Sequence, residues 1–208
     1  MLHRSARGHL EVVELAVLML LELPGATREQ YDRANEIIGV QSDDDAPDGL
    51  ISHAAGLTDD GMIVVDVWES PESMKSFFEE RGVEAAMSEA GAQLGEPRIL
   101  PLHNHSEGSG TEPGVLMIAE IDDFGTDTYD QMTTGMEGHE PGGTHPAVYH
   151  AAAVSESGGM VIVDIWESPE AFGKYAQEQI APAGEAAGMA PFEPRFVPVH
   201  NRIKGQTA

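Results

Sequence analysis

Several side chains with acid–base potential recur at matched places in this 208-residue sequence. His53 and His150 lie in the corresponding segments Ser52-His53-Ala54-Ala55 and Tyr149-His150-Ala151-Ala152. Asp66 and Asp164 are each followed two residues later by a tryptophan, Trp68 and Trp166. His103-Asn104 and His200-Asn201 form a third matched set, and Glu22 and Glu120 a fourth. Imidazole titrates near neutrality, and a neighbouring carboxylate fixes its tautomer, so a His–Asp pair is a candidate general base. An indole offers a flat wall to a planar molecule. His53, His150, Asp66 and Asp164 are therefore the candidate catalytic residues. Trp68, Trp166, Glu22, Glu120, His103 and His200 are candidates for binding a substrate. Each has a plainer reading. The tryptophans could be core packing, the aspartates could bond backbone in a turn, and the histidines could be hydrogen-bonded core or strand-end caps.

One further cluster, His139, Glu140, His145 and His150, contains metal-ligand types. Its spacing matches no zinc pattern, and Pro141-Gly142-Gly143 marks a loop, so no metal is expected. The chain has no cysteine, which removes disulfides, thiolate nucleophiles and iron–sulfur clusters. No nucleotide-binding glycine motif is present either, and no cofactor is expected.

The matching of these residues follows from a duplication. Met62–Glu72 reads MIVVDVWESPE and Met160–Glu170 reads MVIVDIWESPE, 98 residues apart. Eight of eleven positions are identical and the others exchange valine and isoleucine. A repeat of that kind defines the organisation of a chain. The expected units are residues 15–104 and 114–204, joined by a flexible linker over 105–113, where Gly, Ser, Pro and Glu predominate. Residues 1–14 have no counterpart and are expected to be a dispensable extension.

The elements needed to position these groups can be read in order. An apolar run over 17–23 ends at Pro24-Gly25, a strand and a turn. Thr27 precedes a helix to about residue 38 whose apolar stripe includes Tyr31 and Ala34. The acidic stretch 41–48 reads as a solvated loop. Strands over 50–57 and 62–68 flank an Asp-Gly turn. Ser70-Pro71-Glu72 opens a helix, with a break near Gly82, and a fourth strand covers 97–103. The second half repeats this order, with helices over 126–134 and 168–187. Strand alternation puts Ile63, Val65 and Val67 on one face and Met62, Val64, Asp66 and Trp68 on the other. The uniformly β-branched face should lie under a packed layer.

The formal net charge is −25, from 36 acidic and 11 basic residues. Phosphate contacts and anionic membrane surfaces both require a basic face, so neither nucleic acid nor membrane is an expected partner. No apolar run approaches the length of a transmembrane helix, and a cytoplasmic location is expected.

The β-α-β-β-α-β order repeated twice, with Val65–Glu72 and Val163–Glu170 as the strand-turn-helix segments and Pro101-Leu102-His103-Asn104 and Pro198-Val199-His200-Asn201 as strand ends, resembles the dimeric α+β barrel superfamily. That superfamily includes antibiotic-biosynthesis monooxygenases, polyketide cyclases, muconolactone isomerases and stress-responsive barrel proteins. The resemblance implies an α+β chain of two ferredoxin-like domains packed sheet to sheet as an intramolecular pseudo-dimer, with further homodimerisation open. It implies a cleft for a small hydrophobic or aromatic ligand and cofactor-free proton abstraction. The alternative is a non-catalytic ligand-binding or stress-responsive barrel. The haem-degrading members share the tryptophan position. Their histidine ligand lies in the following helix, where this chain has none, so haem is disfavoured.

Overall fold

A computed structural model describes residues 15–134, 136 and 144–206. The proposed extension 1–14 and the candidates His139 and Glu140 lie outside the described residues.

The first half runs β1 (Val17–Pro24), α1 (Arg28–Ile38), β2 (Leu50–Thr58), β3 (Gly61–Trp68), α2 (Pro71–Glu80), α3 (Val83–Glu89) and β4 (Arg98–Glu107). The second runs β5 (Val115–Ile121), α4 (Thr126–Thr133), β6 (Tyr149–Val154), β7 (Met160–Trp166), α5 (Pro169–Tyr175), α6 (Ala181–Ala187) and β8 (Arg195–Lys204). Local chemistry accounts for the helix starts. Thr27 and Gln30 form a reciprocal capping box ahead of α1. Ser70 and Ser168 cap α2 and α5, each followed by proline in the first turn. Gly82, at φ +60°, breaks the helix between α2 and α3 as expected. The continuous helix expected over 168–187 is instead interrupted by a π-helical turn, Ala176–Ile180.

The eight described strands form one closed antiparallel barrel in the order β1-β3-β2-β8-β5-β7-β6-β4. The β-branched faces meet inside it. Ile63, Val65 and Val67 of β3 share a buried cluster with Val161, Val163 and Ile165 of β7, and Leu18 and Leu116 lie there fully buried. Each such side chain contributes about 1.5–3 kcal/mol on leaving water. The opposite faces carry Met62, Val64 and Trp68 in one half and Met160 and Trp166 in the other. These pack under the helices as two separate outer clusters.

Closure depends on the last strand of each half. The start of β4 pairs with β1, Leu100 opposite Leu18, and its end pairs with β6 of the other half, Ser106 opposite His150. The start of β8 pairs with β5 and its end with β2, Ile203 opposite His53. Each strand shifts register where it changes partner. The segment expected to be a flexible linker therefore begins as strand, because residues 105–107 complete the barrel seam. Gly108, Ser109 and Gly110 then donate to the carbonyls of Val148, His145 and Ala147.

Charged pairs join the two halves near the strand ends, on the face that packs inside the barrel. Arg98 Nη1 donates to Glu120 at 2.6 Å, and Arg195 Nη1 donates to Glu22 at 2.9 Å. No helix among the described residues is long and apolar enough to cross a membrane.

Candidate functional site

In each half a cleft lies between the outer face of its strands and its helices. The first has a volume of about 70 Å³ open to the centres of water-sized spheres. Met19, Leu21, Val64, Trp68, Phe77 and Phe78 line it, and Tyr31, His53 and Asp66 supply polar groups. The second, about 50 Å³, is lined by Met117, Ile162, Phe192 and others, with Tyr129, Tyr175, His145, His150 and Asp164.

The polar groups form a chain of contacts in each half. His53 Nδ1 lies 2.7 Å from Asp66 Oδ1, and His53 Nε2 lies 2.6 Å from the Tyr31 hydroxyl. His150 Nδ1 lies 2.7 Å from Asp164 Oδ1, and His150 Nε2 lies 2.7 Å from the Tyr129 hydroxyl. The second carboxylate oxygen accepts from the following tryptophan, Trp68 Nε1 at 3.3 Å and Trp166 Nε1 at 3.0 Å. Strand pairing sets the central contact, because His53 stands directly opposite Asp66 and His150 opposite Asp164. The indole–carboxylate bond joins residues two apart, which share one strand face.

The final link crosses between halves. Asn201 Nδ2, on β8, donates to the Tyr31 hydroxyl at 3.1 Å. Asn104 Nδ2, on β4, donates to the Tyr129 hydroxyl at 3.2 Å. His200 Nε2 pairs with Asp32 and His103 Nε2 with Asp130, both at 2.7 Å, and each imidazole meets the adjacent tyrosine edge-on. A grouping of His103 and His200 with the other residues of their own half does not occur. The crossed strands carry each His-Asn to the other cleft, and neither histidine lines a cavity. Their contact is with the helix that presents the tyrosine.

Trp68 lines the first cavity, whereas Trp166 is sealed beneath Phe172, Tyr175 and His145 and does not line the second. Glu22 and Glu120 correct the expectation more strongly. Glu22 shares the strand face of Leu18 and Leu20, and Glu120 that of Leu116 and Ile118, which is the barrel-interior face; exposed near the strand ends, both pair with arginines of the opposite half, away from either cleft. Their strand position follows the inside–outside alternation, and the arginines opposite supply the charge partners that an acid in a sheet requires.

Three tyrosines of the clefts, Tyr31, Tyr129 and Tyr175, are not among the candidates that the sequence offers. Helical periodicity assigns Tyr31 to an apolar stripe, and its body is indeed buried. Tyr129 lies 98 residues after it, so the repeat offset carried the signal.

Electrostatics in the first cleft favours a charged His53 beside Asp66. Burial opposes charge on His53, but the Tyr31 oxygen and then Asp66 outweigh it and raise the pKa to about 10. Burial likewise opposes ionisation of Asp164, yet His150, His145 and the Trp166 N–H together hold its pKa below the usual carboxylate range. Tyr129 is pushed well above an ordinary phenol, chiefly by burial. Cleft two therefore presents a neutral phenol at neutral pH.

No protein-family model matches the chain, and no curated protein matches it. Solved structures do resemble it. A "putative monooxygenase" from Fusobacterium nucleatum superposes with TM-score 0.64 at 8% identity, over 92% of this chain and 95% of that one. Another "putative monooxygenase", from Lactobacillus acidophilus, gives 0.63 at 10% identity, over 92% and 97%. A mutant chlorite dismutase from Candidatus Nitrospira defluvii gives 0.53 at 10% identity, over 90% and 92%. At such identities the likeness is one of fold. With its closed barrel and duplicated β-α-β-β-α-β halves, the chain shares with these structures a ferredoxin-like α+β barrel fold, both halves supplied by one polypeptide.

Proposed function

We propose that the first cleft takes a small, largely apolar carbon acid, such as an enolisable aromatic ketone or phenol, and removes a proton from it without a cofactor. The observation carrying this reading is the Tyr31–His53–Asp66 chain, with contacts of 2.6 and 2.7 Å, in the wall of an otherwise apolar cavity. Trp68 and Phe77 flank the space where a planar ring would lie. In the base form of the chain, His53 Nε2 accepts from the Tyr31 hydroxyl. A substrate C–H breaks, its proton passes to the Tyr31 oxygen, and the phenolic proton passes to Nε2. The electron pair stays on the substrate as an enolate. Asp66 stabilises the resulting imidazolium, and Asn201 holds the phenol in line. The enolate would then react with dioxygen in a monooxygenase, or be reprotonated elsewhere in an isomerase. The description of the fold neighbours favours the first outcome.

The raised pKa of His53 qualifies the expected neutral-pH base, because the base form predominates only toward pH 10. The rate should therefore climb with pH across the neutral range. Haem does not fit this site. Neither α2–α3 nor α5–α6 carries a histidine that could ligate the iron.

The test is hydrogen exchange into enolisable aromatic ketones, with 1-indanone and 2-tetralone as probes, followed by NMR in heavy water. Oxygen uptake is measured in parallel. Wild type should accelerate exchange, and Tyr31→Phe and His53→Gln should each abolish the acceleration while the protein stays folded. A ketone that binds tightly but exchanges at the uncatalysed rate would identify a ligand-binding barrel instead.

A further inference from the structure

The second cleft differs from the first by two coordinated replacements. His145 enters it from the segment before β6. The corresponding stretch of the first half, Ala46-Pro47-Asp48-Gly49, contains no histidine. Tyr175 stands at the position of Phe77, 98 residues earlier, and both line their cavities. His145 stacks on His150 with ring centroids 4.9 Å apart, and Tyr175 meets His145 edge-on at 5.1 Å. The π-helical turn that interrupts the helix begins directly after Tyr175. Such turns occur often at functional sites.

We propose that the second cleft holds a divalent first-row transition-metal ion between His145, His150 and Asp164. One ligand atom from each lies within 4.8 Å of the others, and the residues are 2%, 4% and 3% exposed. Two ligands about 2.1 Å from one ion lie about 3.0–3.4 Å apart at angles of roughly 90–109°, so the widest pair closes by up to about 1.4–1.8 Å when the ion enters. The shortest separation, 2.7 Å between His150 Nδ1 and Asp164 Oδ1, is near that of adjacent ligands about 90° apart. The ion takes the place of the proton held between those two atoms.

The outer partners suit this role. With the ion on Nδ1, His150 Nε2 carries the proton and faces the Tyr129 oxygen 2.7 Å away, and Asp164 Oδ2 already accepts from Trp166 Nε1. Such bonds orient metal ligands and tune their basicity. In the ion-free chain, Ala147 N–H donates to His145 Nδ1 at 3.1 Å. Ligation through that nitrogen gives up one neutral hydrogen bond, a small loss beside an imidazole–metal bond. Two imidazoles and one carboxylate suit zinc, iron, cobalt or nickel rather than magnesium or calcium. The cavity of about 50 Å³ leaves room for water in the open positions. The spacing in sequence concealed the set, because its members lie on β6, on β7 and on the segment before β6.

This inference is independent of proton transfer in the first cleft, and its test needs no substrate. Full-length protein is stripped with a chelator, titrated with Co(II), and desalted for metal analysis. We expect one ion per chain and a visible Co(II) spectrum. His145→Ala should weaken binding more than about 100-fold, with the ion-free melting temperature retained. No bound ion, two ions per chain, or unchanged affinity in His145→Ala would overturn the proposal. Should that variant not fold, wild type still decides. Its Co(II) form should show hyperfine-shifted imidazole resonances from two histidines, and fewer than two would reject the site.

Discussion

The charge on His53 should make the protein lose stability as pH rises above neutral. The folded pKa is raised from 6.5 to about 10 by Tyr31 and Asp66 against the opposing effect of burial. Each unit corresponds to about 1.4 kcal/mol, so the full rise corresponds to roughly 5 kcal/mol as an upper limit. A folded pKa above the unfolded one means that the native state binds the proton more tightly. The contribution is complete below pH 6.5 and disappears as pH rises through about 10. If only about 2 kcal/mol of it survives relaxation of the site, the melting temperature should still fall by roughly 4–8 °C between pH 6.5 and 10. The assay pairs calorimetry across that range with NMR of the labelled His53 ring. Asp66→Asn removes one of the two groups that raise the pKa, so the ring should then titrate lower and the melting temperature should depend less on pH. A His53 resonance that titrates at or below pH 6.5, or a melting temperature flat from 6.5 to 10, would refute the charged-pair account.

Three other outcomes follow from the packing. Asn201→Ala removes the donor to Tyr31 from the opposite half and should cost about 0.5–1.5 kcal/mol. An unchanged melting temperature would mean that this bond does not form. Gly56→Val places a Cβ 2.6 Å from Val197 Cγ1 and 3.0 Å from the Pro198 carbonyl, so it should destabilise the β2–β8 seam by about 1–3 kcal/mol in urea unfolding. Tolerance there would contradict the crossed strand. Leu18→Ala empties a fully buried position in the barrel interior and should cost about 2–5 kcal/mol, with both halves unfolding in one transition. Two separate transitions would show the halves to be independent.

Much of the architecture was legible in the residues themselves. Near-identical strand-turn-helix segments 98 residues apart reveal the duplication, and the Ser-Pro-Glu caps place α2 and α5. Two-residue alternation separates Ile63, Val65 and Val67 from Asp66 and Trp68, and those faces became the barrel interior and the cleft wall. Such features are local, and a strand's periodicity is expressed wherever the strand is placed. The proximity of His53 and Asp66 could also be anticipated, since a hairpin fixes which residues stand opposite one another. Tertiary structure alone decided which half supplies each end of the chain of contacts. Strand pairing is non-local, and nothing in the order of residues indicates that β4 and β8 change partner midway and carry Asn104 and Asn201 into the opposite clefts. The pairing of Glu22 and Glu120 likewise depends on Arg195 and Arg98, 173 and 22 residues distant in the chain. The sequence grouped His145 and His150 among metal-ligand types but left out Asp164, which only the β6–β7 pairing brings opposite His150.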